Sequence, residues 1–228
     1  MTLPNFPQVD LFAAGINALN GVLQARSPSH DRNYTFVGLL IMAYFGGIGG
    51  GVTRDVLLSD IPGPLKDPRF PIVCTLMGLL GLAIYKYSET KAISFRRKML
   101  AYFKSFTLPW FAILGSHKAL DHGVGIIGAI AIGLVATTAG GVLIDLFSGI
   151  TPEIVRPAEQ LVVSAVIAST VYTLIAIHFQ GAESKFPITL IAATVAFAYR
   201  VFAVKTHWHD IVPGGEHPAA PSAGARAA

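Results

Sequence analysis

The sequence predicts an all-α, polytopic membrane protein whose seven transmembrane helices form two inverted three-helix repeats plus a seventh helix. Three observations predict this fold class. Hydrophobic residues make up 53% of the chain and charged residues 13%, whereas soluble domains carry about 25% charged residues. Apolar segments long enough to cross a bilayer recur along the chain. A glycine-rich motif in the second of these segments returns in the fifth.

A transmembrane helix needs about 20 mostly apolar residues. The first candidate segment is interrupted by Asp10, Asn17 and Asn20, so we expect it to lie inside the bundle with these side chains facing protein or water. The predicted spans are Phe6 to Gln24, Thr35 to Leu58, Pro71 to Tyr87, Leu100 to Leu120, Gly125 to Phe147, Pro157 to Phe179, and Pro187 to Val204.

Lysine and arginine are distributed unequally between the two sides of the predicted membrane. Four lie on one side, namely Lys66, Arg69, Lys118 and Lys185. Twelve lie on the other side, namely Arg26, Arg32, Lys86, Lys91, Arg96, Arg97, Lys98, Lys104, Arg156, Arg200, Lys205 and Arg226. The positive-inside rule therefore predicts a cytoplasmic C-terminus and, with an odd number of spans, an outside N-terminus in a plasma (inner) membrane.

The glycine motif and its copy are separated by 90 positions. The identical residues are Gly50, Gly51, Val52, Asp55 and Pro62 in the first copy and Gly140, Gly141, Val142, Asp145 and Pro152 in the second. Units of three spans must enter the membrane from opposite sides, which makes the repeat inverted. We expect repeats at residues 1–92 and 93–180, a seventh helix at 181–206 and a disordered cytoplasmic tail at 207–228. The basic stretch from Lys86 to Lys104 is expected to be a cytoplasmic loop, or else to contact anionic lipid headgroups.

Glycine occupies five of the six positions from Gly46 to Gly51. Each glycine costs about 1 kcal/mol relative to alanine inside a helix, so we expect a break in the second helix unless close packing requires the bare backbone. The pairs Gly46/Gly50 and Gly47/Gly51 have the spacing that allows membrane helices to approach closely. Gly140 and Gly141 are expected to break the fifth helix in the same way.

Ionisable residues at bilayer depth cost about 2.5–3.5 kcal/mol each, so each requires a partner or water. Arg54 and Asp55 are adjacent and point about 100° apart on a helix, so they need not pair with each other. Two interpretations of Asp55 and Asp145 stay open. They cap helix ends through backbone hydrogen bonds, or they frame the two mouths of a pore and concentrate cations there.

Lys118, Thr137 and Thr138 also have two interpretations each. Lys118 either extends to the outer membrane surface or acts as a gate or counter-ion to Asp10 or Asp55. The two threonines either bond backbone carbonyls of their own helix or line the pore.

Soluble enzymes and metal or nucleic-acid proteins are disfavoured. The chain contains no GxSxG, HExxH, Walker-type or CxxC motif, so we expect no catalytic residue, no metal site and no cofactor. Cys74 is interpreted as a buried structural thiol. His207, His209 and Asp210 are not expected to bind a metal. The basic residues lie between apolar segments, which indicates membrane topology and not nucleic-acid binding.

Three segments resemble a known family: GGGVTRDVLLSDIP at 49–62, AGGVLIDLFSGITP at 139–152 and GSHKALDHG at 115–123. They are similar to the trimeric intracellular cation (TRIC) channels and their prokaryotic relatives. The resemblance implies seven transmembrane helices, a homotrimer and a potassium-permeable pore within each protomer. It also implies glycine-kinked second and fifth helices at Gly46 to Gly51 and Gly140 to Gly141, and a basic residue of the fourth helix at Lys118.

The sequence therefore predicts a monovalent-cation channel that passes potassium and sodium with modest discrimination, because no carbonyl-ring filter resembling TVGYG is present. Its expected partners are other copies of itself and membrane lipids, with a bound lipid left open. One alternative is a secondary transporter of a small zwitterion such as glycine, whose carboxylate would lie at broken-helix N-termini. The other is a structural membrane protein. The predicted pore and gating residues are Gly46, Gly47, Gly49, Gly50, Gly51, Thr53, Arg54, Asp55, Lys118, Thr137, Thr138, Gly140, Gly141 and Asp145.

Overall fold

The computed structural model describes residues 6–25, 34–87, 93–155, 161–179 and 186–206. Within these ranges the chain is helical apart from short connections, as predicted for an all-α protein. The long helices are α1 (Phe6–Ala25), α2 (Phe36–Leu57), α3 (Arg69–Tyr87), α4 (Ile93–Asp121), α5 (Ile126–Phe147), α6 (Leu161–His178) and α7 (Phe186–Thr206). Two short turns, Gly63–Lys66 and Glu153–Val155, follow α2 and α5.

These seven helices agree in number and order with the predicted spans. By length and hydropathy, α2 and α5 are suited to cross a membrane, whereas the apolar parts of α3, α6 and α7 are shorter. The number of seven crossings therefore stays a prediction. The tail at 207–228, with His207, His209 and Asp210, lies outside the described residues.

The connection between the two halves is shorter than predicted. The stretch from Lys86 to Lys104 was expected to be a loop, but α3 continues to Tyr87 and α4 begins at Ile93. The prediction is wrong for most of this stretch. Its arginine, lysine, methionine and leucine residues are good helix formers, and those from Ile93 onward belong to α4.

The glycine cluster does not break α2. Phe45–Gly49 forms a π-helical segment, and an α-helix continues from Gly50 to Leu57. In α5 the helix runs without interruption through Gly140 and Gly141. A break is therefore wrong for both helices, and the stated alternative, that close packing requires the bare backbone, holds at Gly46, Gly50 and Gly140. Close packing of neighbouring backbones explains the glycines, and π-helical segments of this kind are frequent at functional sites.

The helices α2 and α5 correspond to each other over their whole length. Each has 22 residues, and both their starts and their ends lie 90 positions apart. After each helix the chain turns with a positive φ, 56° at Ser59 and 70° at Gly149, which also lie 90 positions apart. Backbone bonds from Asp60 N to Asp55 O (2.9 Å) and from Ile150 N to Asp145 O (3.0 Å) close the two turns. The repeat is thus structural and extends beyond the identical residues.

Small residues allow the helices to pack closely. The largest buried cluster joins α4, α6 and α7, and most of its members are alanines, including Ala112, Ala165, Ala168, Ala192 and Ala196. Around the other half, α1 packs against α2, α3 and α4. The helices α2 and α5 contact each other between these two groups, and we call them the central helices.

Candidate functional site

The crossing of α2 and α5 is made by glycines. A Cβ atom at Gly50 would collide with the carbonyl oxygen of Ala136, and one at Gly140 would lie 2.7 Å from Phe45 O. A Cβ atom at Gly49 would lie 3.3 Å from Gly140 Cα. Because Gly50 and Gly140 are corresponding residues, the two halves meet at their shared motif. The backbones approach here more closely than any side chain permits.

The remaining glycines of the cluster have different neighbours. A Cβ atom at Gly46 would collide with Asn17 O of α1, and one at Gly47 would lie 2.6 Å from Cys74 Sγ. These two glycines therefore hold α2 against α1 and α3. The space beside Gly141 is open to 4 Å, and the nearest atom to a Cβ at Gly51 is Arg54 Nη2 at 3.8 Å.

A cavity of about 70 Å³ lies between α1, α2, α4 and α5, and its wall combines polar residues with apolar ones such as Leu108, Phe111 and Ile144. This volume has room for several water molecules, since one requires about 10–15 Å³ by the same measure. The predicted residues that line the cavity are Gly46, Gly50, Thr137, Thr138, Gly140, Gly141 and Asp145. The predicted residues outside its lining are Gly47, Gly49, Gly51, Thr53, Arg54, Asp55 and Lys118.

The two threonines bond backbone carbonyls of their own helix, whereas their role in lining a pore stays a prediction. Thr137 Oγ1 donates to Gly133 O and Thr138 Oγ1 donates to Leu134 O, each at 2.9 Å and one helical turn back. Both residues also line the cavity. Thr53 Oγ1 makes the same kind of bond to Gly49 O at 2.9 Å, away from the cavity.

At one end of the cavity, Asp145 is buried and fixes the turn that follows α5. Its Oδ2 accepts a hydrogen bond from the backbone N–H of Glu153 at 2.8 Å. Its Oδ1 accepts from Gln24 Nε2 of α1, also at 2.8 Å. Asp145 is 1% exposed. The carboxylate therefore caps a helix end and also contributes to the cavity wall.

On the far side of the glycine crossing, Asp55 lies in a network of charges. Its Oδ2 accepts from Gly63 N at 2.8 Å, which repeats the bond of Asp145 to the residue eight positions later. Its Oδ1 lies 2.7 Å from Arg54 Nε and 2.9 Å from Lys118 Nζ. The idea that Arg54 and Asp55 need not pair is corrected here. They diverge at the backbone, but the long arginine side chain folds back to the carboxylate.

Lys118 links two carboxylates and does not simply extend to the surface. Its Nζ lies 2.9 Å from Asp55 Oδ1 and 2.8 Å from Asp60 Oδ2, while Lys66 Nζ lies 3.0 Å from Asp60 Oδ1. Hydrogen bonds from Lys118 and Lys66 hold the pKa of Asp60 well below its usual range. Asp10 of α1 interacts electrostatically with this group through Arg54 and Lys118. Of the two predicted counter-ions, Asp55 is the direct one.

Gln24 and Lys118 occupy corresponding positions in the two halves. Each donates from the first helix of its half to the aspartate of the other half. Three residues earlier, Gly21 and Gly115 face the carbonyls of Met42 and Ile132, which lie 90 positions apart. The shared spacing G-x-x-Q at Gly21 and G-x-x-K at Gly115 was the sequence signal that could have identified Gln24.

Further residues of the site were missed as site residues. Asn17, Asn20, Gln24, Thr107 and Glu153 line the cavity, and Asp60 belongs to the charged network. Thr107 Oγ1 of α4 donates to Asn17 Oδ1 of α1 at 2.8 Å. This bond joins the first helices of the two halves beside the glycine crossing. The polar interruptions of the first predicted span were the signal for Asn17 and Asn20.

A bundle of apolar helices around a cavity with polar residues in its wall is the arrangement of a polytopic membrane protein. The family model of the glycine transporter matches residues 8–86 and 101–177, and the chain belongs to this family. A transporter family is consistent with the prediction that the protein is not an enzyme.

Two relatives illustrate the family. A "UPF0126 membrane protein" of Deinococcus radiodurans is 30% identical over 156 residues, which are 68% of this chain and 70% of the relative. The "UPF0126 inner membrane protein YadS" of Escherichia coli K12 is 23% identical over 211 residues, or 90% and 93% of the two chains.

Solved structures have the same fold. A TRIC trimeric intracellular cation channel orthologue from Rhodobacter sphaeroides superimposes with a TM-score of 0.75 at 24% identity, covering 89% of this chain and 98% of its own. A prokaryotic TRIC channel in 0.5 M KCl gives 0.76 at 17% identity, covering 89% and 96%. The predicted resemblance to TRIC channels is therefore confirmed in the fold.

Proposed function

We propose that the protein is a monovalent-cation channel, permeable to potassium, with a pore within each protomer. The observation that carries this proposal is the cavity between α1, α2, α4 and α5, whose lining includes asparagine, glutamine and threonine residues and the acidic residues Asp145 and Glu153. Negative charge at a pore mouth raises the local concentration of cations. The TRIC structures of the same fold are those of cation channels, which supports the same reading here.

The proposed pore is closed in this conformation. The cavity ends at the crossing where Gly50 meets Ala136. Beyond it, Lys118 bridges Asp55 and Asp60 and would repel cations. Conduction therefore requires the crossing to separate and Lys118 to leave Asp55. In this proposal Lys118 is the outer gate.

The proposed orientation has the N-terminus outside and the C-terminus in the cytoplasm of an inner membrane. The distribution of twelve basic residues against four supports it, and the Escherichia coli relative is an inner membrane protein. The Asp145 end of the cavity then faces the cytoplasm. Thiol labelling of cysteines introduced at each terminus of a Cys74→Ala protein tests this, and labelling of both from one side would contradict it.

The proposed assembly is a homotrimer, as in the TRIC orthologue described as trimeric. Each protomer would consist of repeats at 1–92 and 93–180 and a seventh helix at 181–206 that packs between subunits. Lipids would cover the outer faces, where large apolar side chains such as Phe36, Ile41 and Leu80 are exposed. The mass of the purified protein in nanodiscs, with the lipid subtracted, tests the trimer. A mass of one or two chains would contradict it.

The channel is tested electrically. Purified protein in a planar bilayer under a potassium gradient should give unitary currents that reverse near the potassium potential. Replacing potassium with N-methyl-D-glucamine on one side should abolish the current carried from that side. The absence of unitary currents in a reconstituted, folded trimer would contradict the proposal.

A second candidate is a secondary transporter of a small zwitterion such as glycine. The family description favours it, and so does a cavity that ends at the glycine crossing, as alternating access requires. Broken-helix N-termini cannot hold the carboxylate in this chain, because α2 and α5 continue through their glycines. Saturable glycine uptake into proteoliposomes without unitary currents would favour this candidate over the channel.

A further inference from the structure

Asn20 is a buried amide in the cavity wall. It lies on α1 between Asn17 and Gln24 and is 5% exposed. Neither its Oδ1 nor its Nδ2 has a hydrogen-bond partner among the described residues. Buried polar groups are almost always hydrogen-bonded in native proteins, and an exception beside a cavity indicates that a ligand or water supplies the bonds.

Among the polar residues that share the cavity with Asn20, Gln24, Thr137 and Asp145 offer acceptor oxygens. Gln24 donates through Nε2 to Asp145, which leaves its Oε1 as an acceptor. Thr137 donates its hydroxyl proton to Gly133 O, so its oxygen lone pairs remain available. The carboxylate of Asp145 adds negative charge at one end of the cavity. Such a lining favours a positively charged group.

Glycines of α2 and α5 leave room for a ligand beside Asn20. Gly46, Gly50, Gly140 and Gly141 all line the cavity. Because these residues have no side chains, backbone bounds the cavity there, whereas Leu108, Phe111 and Ile144 bound it elsewhere. A group held here lies next to the crossing of α2 and α5, which is the point that must open.

We propose that Asn20 is the centre of a binding site for a singly charged cationic group, either a potassium ion or the ammonium group of a small zwitterion. Both present one positive charge to Asn20 Oδ1 and the neighbouring oxygens. A zwitterion also brings a carboxylate that accepts from Asn20 Nδ2. The site rests on the proposed function, because the cavity is the inner part of the proposed pore.

The test is ligand-dependent thermal unfolding of the purified full-length protein. One arm compares KCl with N-methyl-D-glucamine chloride at equal ionic strength. The other compares glycine with N,N,N-trimethylglycine, which has the same charges but no N–H donor. A ligand that binds the native state raises the unfolding temperature with its concentration. A response to KCl identifies the metal ion as the ligand, and a response to glycine alone identifies the ammonium group.

Asn20→Leu removes the amide but keeps a side chain of similar size, so the fold should tolerate it. We expect it to raise the half-saturating ligand concentration at least tenfold. Ser169→Ala is the matched control, because Ser169 is also buried with an unbonded hydroxyl among the described residues but lies outside the cavity lining. It should leave the ligand response unchanged. If Asn20→Leu does not fold, Asn20→Ala provides the same comparison.

An unchanged response in Asn20→Leu, or no response of the wild type to either ligand, would overturn the site. The outcome is separable from the fate of the channel. Unitary potassium currents together with unchanged binding in Asn20→Leu would reject the site alone. Binding that depends on Asn20 in a protein without potassium current would reject the channel alone.

Discussion

The Asp55 end and the Asp145 end of the central helices share one backbone design but differ in their side chains. In both, an aspartate near the end of a 22-residue helix accepts a hydrogen bond from the backbone N–H eight residues later. Asp55 then meets Arg54 and Lys118, whereas the corresponding donor to Asp145 is the neutral amide of Gln24. The comparison teaches that the backbone bond carries the structural role in both halves. The side chains around this bond differ, so the Asp55 end is a network of charges and the Asp145 end is part of a cavity wall.

The largest expected effect concerns the crossing that both ends depend on. Gly50→Ala places a Cβ atom against the carbonyl oxygen of Ala136. This clash is with backbone, so no side-chain rotation can relieve it. We expect a loss of about 3 kcal/mol in the free energy of unfolding, measured as reduced thermal stability of the purified protein. Gly141→Ala is the control, because the space beside Gly141 is open to 4 Å. Equal stability of the two variants would contradict the close approach.

The next largest effects are expected from substitution of Asp55 and Asp145. Asp55→Asn leaves Arg54 buried beside a neutral partner and weakens two charged contacts, so we expect a loss of about 2 kcal/mol in stability. Asp145→Asn removes a negative charge from the cavity wall, so we expect a lower single-channel potassium conductance. Thermal unfolding and bilayer currents are measured on both variants. Unchanged stability and current in both would remove the aspartates from the site.

Exchanging the corresponding donors sharpens the comparison further. Lys118→Gln makes the Asp55 end resemble the Asp145 end, and we expect a higher open probability. The stability loss should be about 1 kcal/mol, since Lys118 is partly exposed. Gln24→Lys places a cation beside the cavity, and we expect a smaller potassium current. Single-channel recording checks both variants. A current that changes in the same direction in both variants would contradict the view that a cation at either of these positions hinders potassium.

The smallest expected effect is the pH dependence of stability that comes from Asp60 and its contacts with Lys118 and Lys66. The lowered pKa of Asp60 means that its contribution to stability is complete above its ordinary pKa, 3.8, and is lost as the pH falls through the lowered value. Lys118→Gln should move the pKa of Asp60 back toward 3.8, because it removes the first of the two lysine hydrogen bonds. The carboxyl titration can be followed by NMR of a protein labelled at aspartate. An Asp60 pKa that does not respond would mean that Lys118 does not contact it in solution.

The sequence predicted the fold well because its signals are local and repeated. The identity of Gly50 with Gly140 and of Asp55 with Asp145 located both central helices and the ends of both. The breaks predicted at the glycines failed because propensity describes an isolated helix, whereas the backbones of Asn17 and Ala136 require glycine at Gly46 and Gly50.

Part of the site could not be predicted because it depends on tertiary contacts. Gln24 meets Asp145 across 121 positions of sequence. The shared G-x-x-Q and G-x-x-K spacing marks Gln24, but it does not indicate which residue Gln24 contacts. The pairing of Arg54 with Asp55 depends on how a long side chain folds back, which the angle between adjacent residues does not determine. Asn20 was recognised as a polar interruption of the first span, but its unbonded amide is visible only once the neighbouring helices are in place.

The contact between Gly50 and Gly140 has one further consequence. Since these two glycines occupy corresponding positions, the contact between the two halves uses the same position of the repeat twice. Neither glycine can substitute for the other, so a mutation at one of them disturbs the packing of both halves. At this contact the repeat is symmetric but not redundant.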